Sequence, residues 1–188
     1  MNPNIEPLMR KELSKLIEAN IFFPIKHSSW GKNLVPVRKK NGEIRLCVDF
    51  RDLNQASLKD HHLLPSMEQI LSKVNGSERF SFLDGFSSYN QVLVKDSDRY
   101  KVAFTTKLGT YAYCKMPFGL TNVGATFQKA MEMAFKNMMK RFVLVYLDDI
   151  IVYSKNVEDH FDHLRHVFLR CREFGVSLNP SKCVFSTN

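Results

Sequence analysis

The 188-residue chain has no apolar run long enough to cross a membrane, and its amino terminus, MNPNIEPLMRKELSK, lacks the apolar core of a secretory signal. Both absences argue for an intracellular protein without a membrane partner. The four cysteines, Cys47, Cys114, Cys171 and Cys183, are scattered and form no CxxC pair. That argues against a disulfide framework or a zinc knuckle and for reduced thiols. There is no internal repeat, no low-complexity tract and no glycine-rich phosphate motif. No Ser/His/Asp or Cys/His arrangement stands out. Acid is also scarce: 27 Lys and Arg against 19 Asp and Glu give a formal charge of +8 and a pI near 9.4. An excess of that sign favours a polyanionic partner such as nucleic acid.

What is present is enough apolar residue, 44% of the chain, for a packed core. Leu8, Met9, Leu13, Leu16 and Ile17 recur at helical spacing over about residues 7–19. A loop holding Pro24, Ser28 and Ser29 follows. Two β-like runs, 34–38 and 44–50, flank Lys40-Asn41-Gly42-Glu43, and Asn-Gly between such runs predicts a hairpin. Residues 66–74 read as a helix, and 80–83 as a short strand ending at Asp84. A second strand pair is expected over 91–95 and 100–105, then a helix over 126–139. Residues 142–147 and 150–153 read as strands around Asp148-Asp149. A helix over 159–174 closes the reading, with Gly175 as its cap. His160, His163 and His166 lie along that helix; acidic neighbours favour a solvated face over a metal site.

The carboxylates raise the main question. FVLVYLDDIIVYS places Asp148 and Asp149 inside an apolar run. Aspartate suits a tight turn for its own reasons, so an ordinary turn is one reading. A third carboxylate shifts the balance. Asp84 ends the apolar strand FSFL, and if that strand lies beside the Asp148-Asp149 hairpin, three carboxylates meet at one end of a sheet. Two such groups about 4 Å apart repel by several kcal/mol at intermediate dielectric. Divalent cations with hard oxygen ligands would remove that cost, and a pair of them suits an in-line phosphoryl displacement.

These segments carry a resemblance. YLDDIIVYS looks like the signature of reverse transcriptases. FSFLDGFSSYNQ, then KVAFTTKLGTYAYCKMPFGLTNVGATFQKAM, then FVLVYLDDIIVYSKNVEDHFDHLRHVF, closely resemble polymerases of gypsy-class long-terminal-repeat retrotransposons. SSWGKNLVPVRKKNGEIRLCVDFRDLN resembles the fingers of the same family. The resemblance implies an α+β, right-hand polymerase fold: a palm of antiparallel strands and helices, plus a fingers lobe. Fingers would span about 1–59 and 92–121, palm about 60–91 and 122–188; the thumb would be absent from this stretch. It implies RNA-directed DNA polymerase activity on an RNA or DNA template with a primer, using dNTPs and two Mg²⁺ ions, with Mn²⁺ as a substitute. The alternative is a retroelement remnant that only binds nucleic acid.

By the same resemblance, Asp84, Asp148 and Asp149 are the catalytic metal ligands. Lys39 and Arg45 would clamp the triphosphate, with Ser87 and Ser88 offering backbone amides to it. Tyr89 would be the gate against a ribose 2′-hydroxyl. Phe118 and Gln128 would line the nucleotide and template side, Tyr146 would meet the primer end, and Lys182 would protonate pyrophosphate. VGATF stands where gypsy elements commonly carry APATF, so Gly124 would loosen the start of a helix.

Overall fold

A computed structural model describes residues 6–38, 42–139 and 141–187. The chain divides into two compact units, Met1–Lys59 with Val92–Val123, and Asp60–Gln91 with Gly124–Asn188.

The first unit begins with α1 (Glu6–Glu18), whose buried Met9 and Leu13 sit four residues apart on one face. Then come β1 (Phe22–Ile25), β2 (Lys32–Arg38), β3 (Ile44–Val48) and α2 (Arg51–Ala56). Later in the chain come β4 (Ala103–Thr106) and β5 (Gly109–Tyr113). The five strands form one sheet in the order β1-β5-β4-β2-β3. Its core gathers Phe22, Phe50, Phe104 and Tyr113, with Phe22 and Phe104 edge to face at 5.1 Å.

Two expectations change here. The loop around Pro24 is the edge strand β1, where a residue without an amide hydrogen costs no ladder bond on the open side. The strand pair placed over 91–95 and 100–105 is instead β4 with β5. Residues Asp96–Val102 form a 3₁₀ helix, which Arg99 and Lys101 tie to Asp96 and Asp98 three residues back. That local polar bonding outcompetes the ladder. The hairpin over β2 and β3 forms, with Val37 opposite Arg45, but its tip at 39–41, and with it Lys39, lies outside the described residues.

The second unit holds a four-stranded sheet. Its strands are β6 (Arg79–Asp84), β7 (Val143–Tyr146), β8 (Asp149–Ser154) and β9 (Val184–Thr187), ordered β7-β8-β6-β9 and antiparallel throughout. Three helices accompany it: α3 (Met67–Val74), α4 (Val123–Ala134) and α5 (Val157–Phe174). α3 starts at a capping box, where Ser66 accepts from the Gln69 amide and Gln69 accepts from the Ser66 amide. α4 ends at Ala134, five residues before the expected end, and passes into turns. α5 closes on Gly175 at φ 67°, the left-handed cap the sequence announces.

The histidine face of α5 is corrected. His160 is fully buried, its two ring nitrogens each 2.8 Å from a serine hydroxyl, Ser81 on β6 and Ser154 on β8. His163 also bonds Ser154 at 2.8 Å and stacks on Phe142, centroids 4.0 Å apart.

Candidate active site

The β7–β8 hairpin is closed by two residues, Leu147 and Asp148, with Tyr146 paired to Asp149 across it. The turn therefore sits one residue earlier than Asp148-Asp149, and Asp149 opens β8. The reason is conformational. Leu147 takes φ 52°, as the first position of a primed hairpin turn requires, a costly state for a residue with a branched side chain.

Neighbouring groups hold that state. Gln128, fully buried on α4, accepts from the Leu147 amide at 3.0 Å. Its own amide donates to the Val145 carbonyl at 3.1 Å and to Glu132 at 3.0 Å. On the other side, the Gly85 amide donates to the Asp148 carbonyl at 3.2 Å. A methyl at Gly85 would come within 2.9 Å of the Ser88 hydroxyl, which itself donates to the Gly85 carbonyl.

Three carboxylates result at one strand end. Asp84, the last residue of β6, lies directly opposite Asp149 on β8, so their Cα atoms are roughly 4.5–5.5 Å apart. Asp148 adjoins them on the turn. Partial burial, then the Asp148 and Asp84 charges, push the Asp149 carboxyl above the ordinary range, and Lys182 pulls it back. Lys182 lies 3.4 Å from Asp84. One Asp148 oxygen, Oδ1, is buried without a hydrogen-bond partner. The Tyr89 hydroxyl donates to Asp148; burial and that carboxylate push the phenol up to about 12. Among the described residues, no three His, Cys, Asp or Glu side chains close into a ready metal shell. The strand ends bring the acids together, while Lys182 and Tyr89 draw Asp84 and Asp148 to separate partners.

The family model described as reverse transcriptase (RNA-dependent DNA polymerase) matches residues 37–188. The chain belongs to the reverse transcriptase family. It is 32% identical over 162 residues to the Retrovirus-related Pol polyprotein from transposon 297 of Drosophila melanogaster, covering 86% of this chain and 15% of that protein. It is 32% identical over 173 residues to the corresponding polyprotein from transposon gypsy of the same organism, covering 89% and 16%. Among solved structures, the foamy viral protease-reverse transcriptase in complex with dsDNA superposes at TM-score 0.87. That match has 21% identity and covers 100% of this chain and 39% of the other. The match shows the polymerase fold of reverse transcriptases.

The remaining family-implied residues are divided between the two units. Tyr89 packs edge to face on Phe127 at 5.4 Å, so its ring is braced and its hydroxyl aimed at Asp148. Ser87 is exposed with φ 49°, and Ser88 is buried, its hydroxyl used by the loop. Tyr146 is half-buried against the cluster of Ile70, Leu144 and Tyr153. In the first unit, Arg45 on β3 lies over the Phe118 ring at 6.0 Å, and Phe118 is half exposed. Gln128 departs from its expected role: with no exposed surface and three internal bonds, it serves the turn. Sequence reasoning also missed Gln91, which bonds Phe86 and Ser177 and ties the 85–91 loop to the strand-end segment at 177–179. A buried glutamine in a helix otherwise apolar on that face was the one available signal for Gln128.

Proposed function

We propose that the chain carries RNA-directed DNA polymerase chemistry: transfer of a nucleotide from a dNTP to a primer 3′-hydroxyl on an RNA or DNA template. The observation that carries this reading is the register that sets Asp84 opposite Asp149 with Asp148 on the adjoining turn. A sheet end holding three carboxylates is unfavourable unless cations offset it. The donor set is all hard oxygen, and the unpartnered Asp148 Oδ1 fits a ligand role. Asp84, Asp148 and Asp149 would hold two Mg²⁺ ions, or Mn²⁺ in their place. Bound there, such a pair lowers the pKa of an attacking hydroxyl and balances charge on the leaving oxygens.

The chain's own residues do the rest. The braced hairpin fixes the acids, so little reorganisation is needed when substrate arrives. Tyr89, its ring braced on Phe127, is proposed as the gate that an added ribose hydroxyl would meet. Lys182, 3.4 Å from Asp84, suits charge balance on a leaving pyrophosphate. Arg45 and Phe118 offer a guanidinium stacked on a ring, a pairing suited to a phosphate or base. Ser87 and Ser88 are proposed to offer amides to the triphosphate, and Tyr146 to meet the primer end. The first unit is read as fingers and the second as palm.

The test is primer extension on an RNA template with Mg²⁺, for this chain and its Asp148→Asn variant. Extension by the parent, reduced about a hundredfold to a thousandfold in the variant, is the expected result. Equal extension by both defeats the carboxylate assignment. The comparator foamy viral enzyme is seen with RNA/DNA hybrid in another structure, which supports a hybrid as the duplex to test.

A further inference from the structure

A polar cavity lies in the 60–91 and 124–188 unit, at the end of β8 remote from the acids. Ser154 lines it, and Asp149 stands at the other end of the same six-residue strand, roughly 17 Å away at the usual strand rise. The cavity measures about 510 Å³. Three cations from three different elements converge on it: Lys73 from the last turn of α3, Arg141 from the approach to β7, and Lys155 from the end of β8. None has an ion-pair partner among the described residues. One acid, Asp159, shares the wall, and its carboxylate accepts from the Asn156 side chain at 3.1 Å. The net charge of the lining is therefore positive with His163 neutral. Phe142, its ring stacked on His163, forms part of the floor.

Like charges drawn from three elements into one concavity repel, solvent and Asp159 remove part of that cost, and an anion seated there would remove more. The Asn156 side chain does not cap the amides of α5, so the amino end of that 18-residue helix stands at the rim with its partial positive charge offset in part by Glu158 and Asp159 in the first turn. The volume exceeds what one phosphate fills, and the polar groups are donors in excess of acceptors.

We propose that this cavity binds a phosphate-bearing anion, at a place separate from the three carboxylates. The ligand chemistry is two or more linked or neighbouring phosphates, supplied either by a free oligophosphate or by the backbone of a nucleic-acid strand. This inference does not depend on the polymerase reading, since it uses none of the residues proposed for catalysis.

The probe is inorganic triphosphate, titrated in EDTA at low salt so that the acids repel it. Binding is read by calorimetry and by the NMR signals of the His163 ring, assigned with His163→Gln. The expected result is saturable binding that moves the His163 signals. Arg141→Ala and Lys155→Ala should each weaken it about tenfold, and Asp148→Asn should leave it unchanged. Both cationic side chains are exposed, and circular dichroism checks that the variants keep the fold. A His163 signal that does not saturate, or equal affinity in parent and cation variants, overturns the proposal. So does a loss confined to Asp148→Asn. A short single-stranded DNA that displaces triphosphate identifies strand phosphates as the source. Failure to displace it identifies the free anion.

Discussion

At the scale of single residues, the proposed chemistry depends on one unfavourable backbone state and the side chain that holds it. Leu147 at φ 52° turns the hairpin, and Gln128 satisfies its amide and the Val145 carbonyl from beneath. Replacing Gln128 by leucine keeps the volume and removes both bonds. A buried amide or carbonyl left without a partner costs about 1–3 kcal/mol. Gln128→Leu should therefore lower unfolding stability by about 2–4 kcal/mol, read in urea. Extension should fall further than stability explains, because the acids lose their fixed frame. A variant as stable as the parent would remove Gln128 from this role. Beyond a glutamine on the apolar face of its helix, none of this was legible beforehand. Gln128 bonds residues 17 and 19 positions away, and only the packing of α4 under the hairpin sets those partners. The meeting of the acids was legible only in combination: Asp148-Asp149 alone fits an ordinary turn, and Asp84 at the end of FSFL is what shifted the balance.

Between elements, α5 shows what periodicity conveys and what it omits. Its buried stripe runs His160, Leu164, Val167 and Cys171, spaced four, three and four, so His160 falls on the core face by position. Acidic neighbours suggested a solvated face, because its two serine partners lie on different strands and only the register of β6 with β8 brings them together. The capping box of α3 and the glycine cap of α5 were readable because each is complete within a few residues. β9 was not, being four residues paired through an irregularity at a sheet edge. Burial of His160 has a consequence for acid stability. Desolvation, then the charges of His163 and Arg79, lower the His160 pKa. His163 is lowered by desolvation, with Asp159 and Asp162 opposing and His166 and Arg141 adding. A histidine kept neutral by the fold binds its proton more tightly when unfolded. Stability is then full above the unfolded value of about 6.5 and declines as pH falls below it. The urea midpoint should drop between about pH 7.5 and 5.5, and the drop should shrink in His160→Gln. An identical pH profile in the variant would rule His160 out as the source.

For the molecule as a whole, the +8 charge and the carboxylate site are separable properties, and that separation distinguishes a polymerase from a chain that only binds nucleic acid. Charge was the coarsest feature of the sequence and needed no structure to read; the division into two units is a matter of packing that composition does not mark. Phosphate contacts release counterions, so affinity for a single strand falls with salt at about −0.7 log units per log unit for each phosphate neutralised. With about four contacts, raising NaCl from about 50 to about 200 mM should weaken binding of a short single-stranded oligonucleotide roughly fiftyfold. Asp148→Asn should keep that slope, since one acid on a turn adds no phosphate contact, yet lose extension. A slope near zero would mean that the basic surface does not track a backbone. A slope altered in Asp148→Asn would mean that the acids take part in strand binding itself, and the two functions would then share one surface.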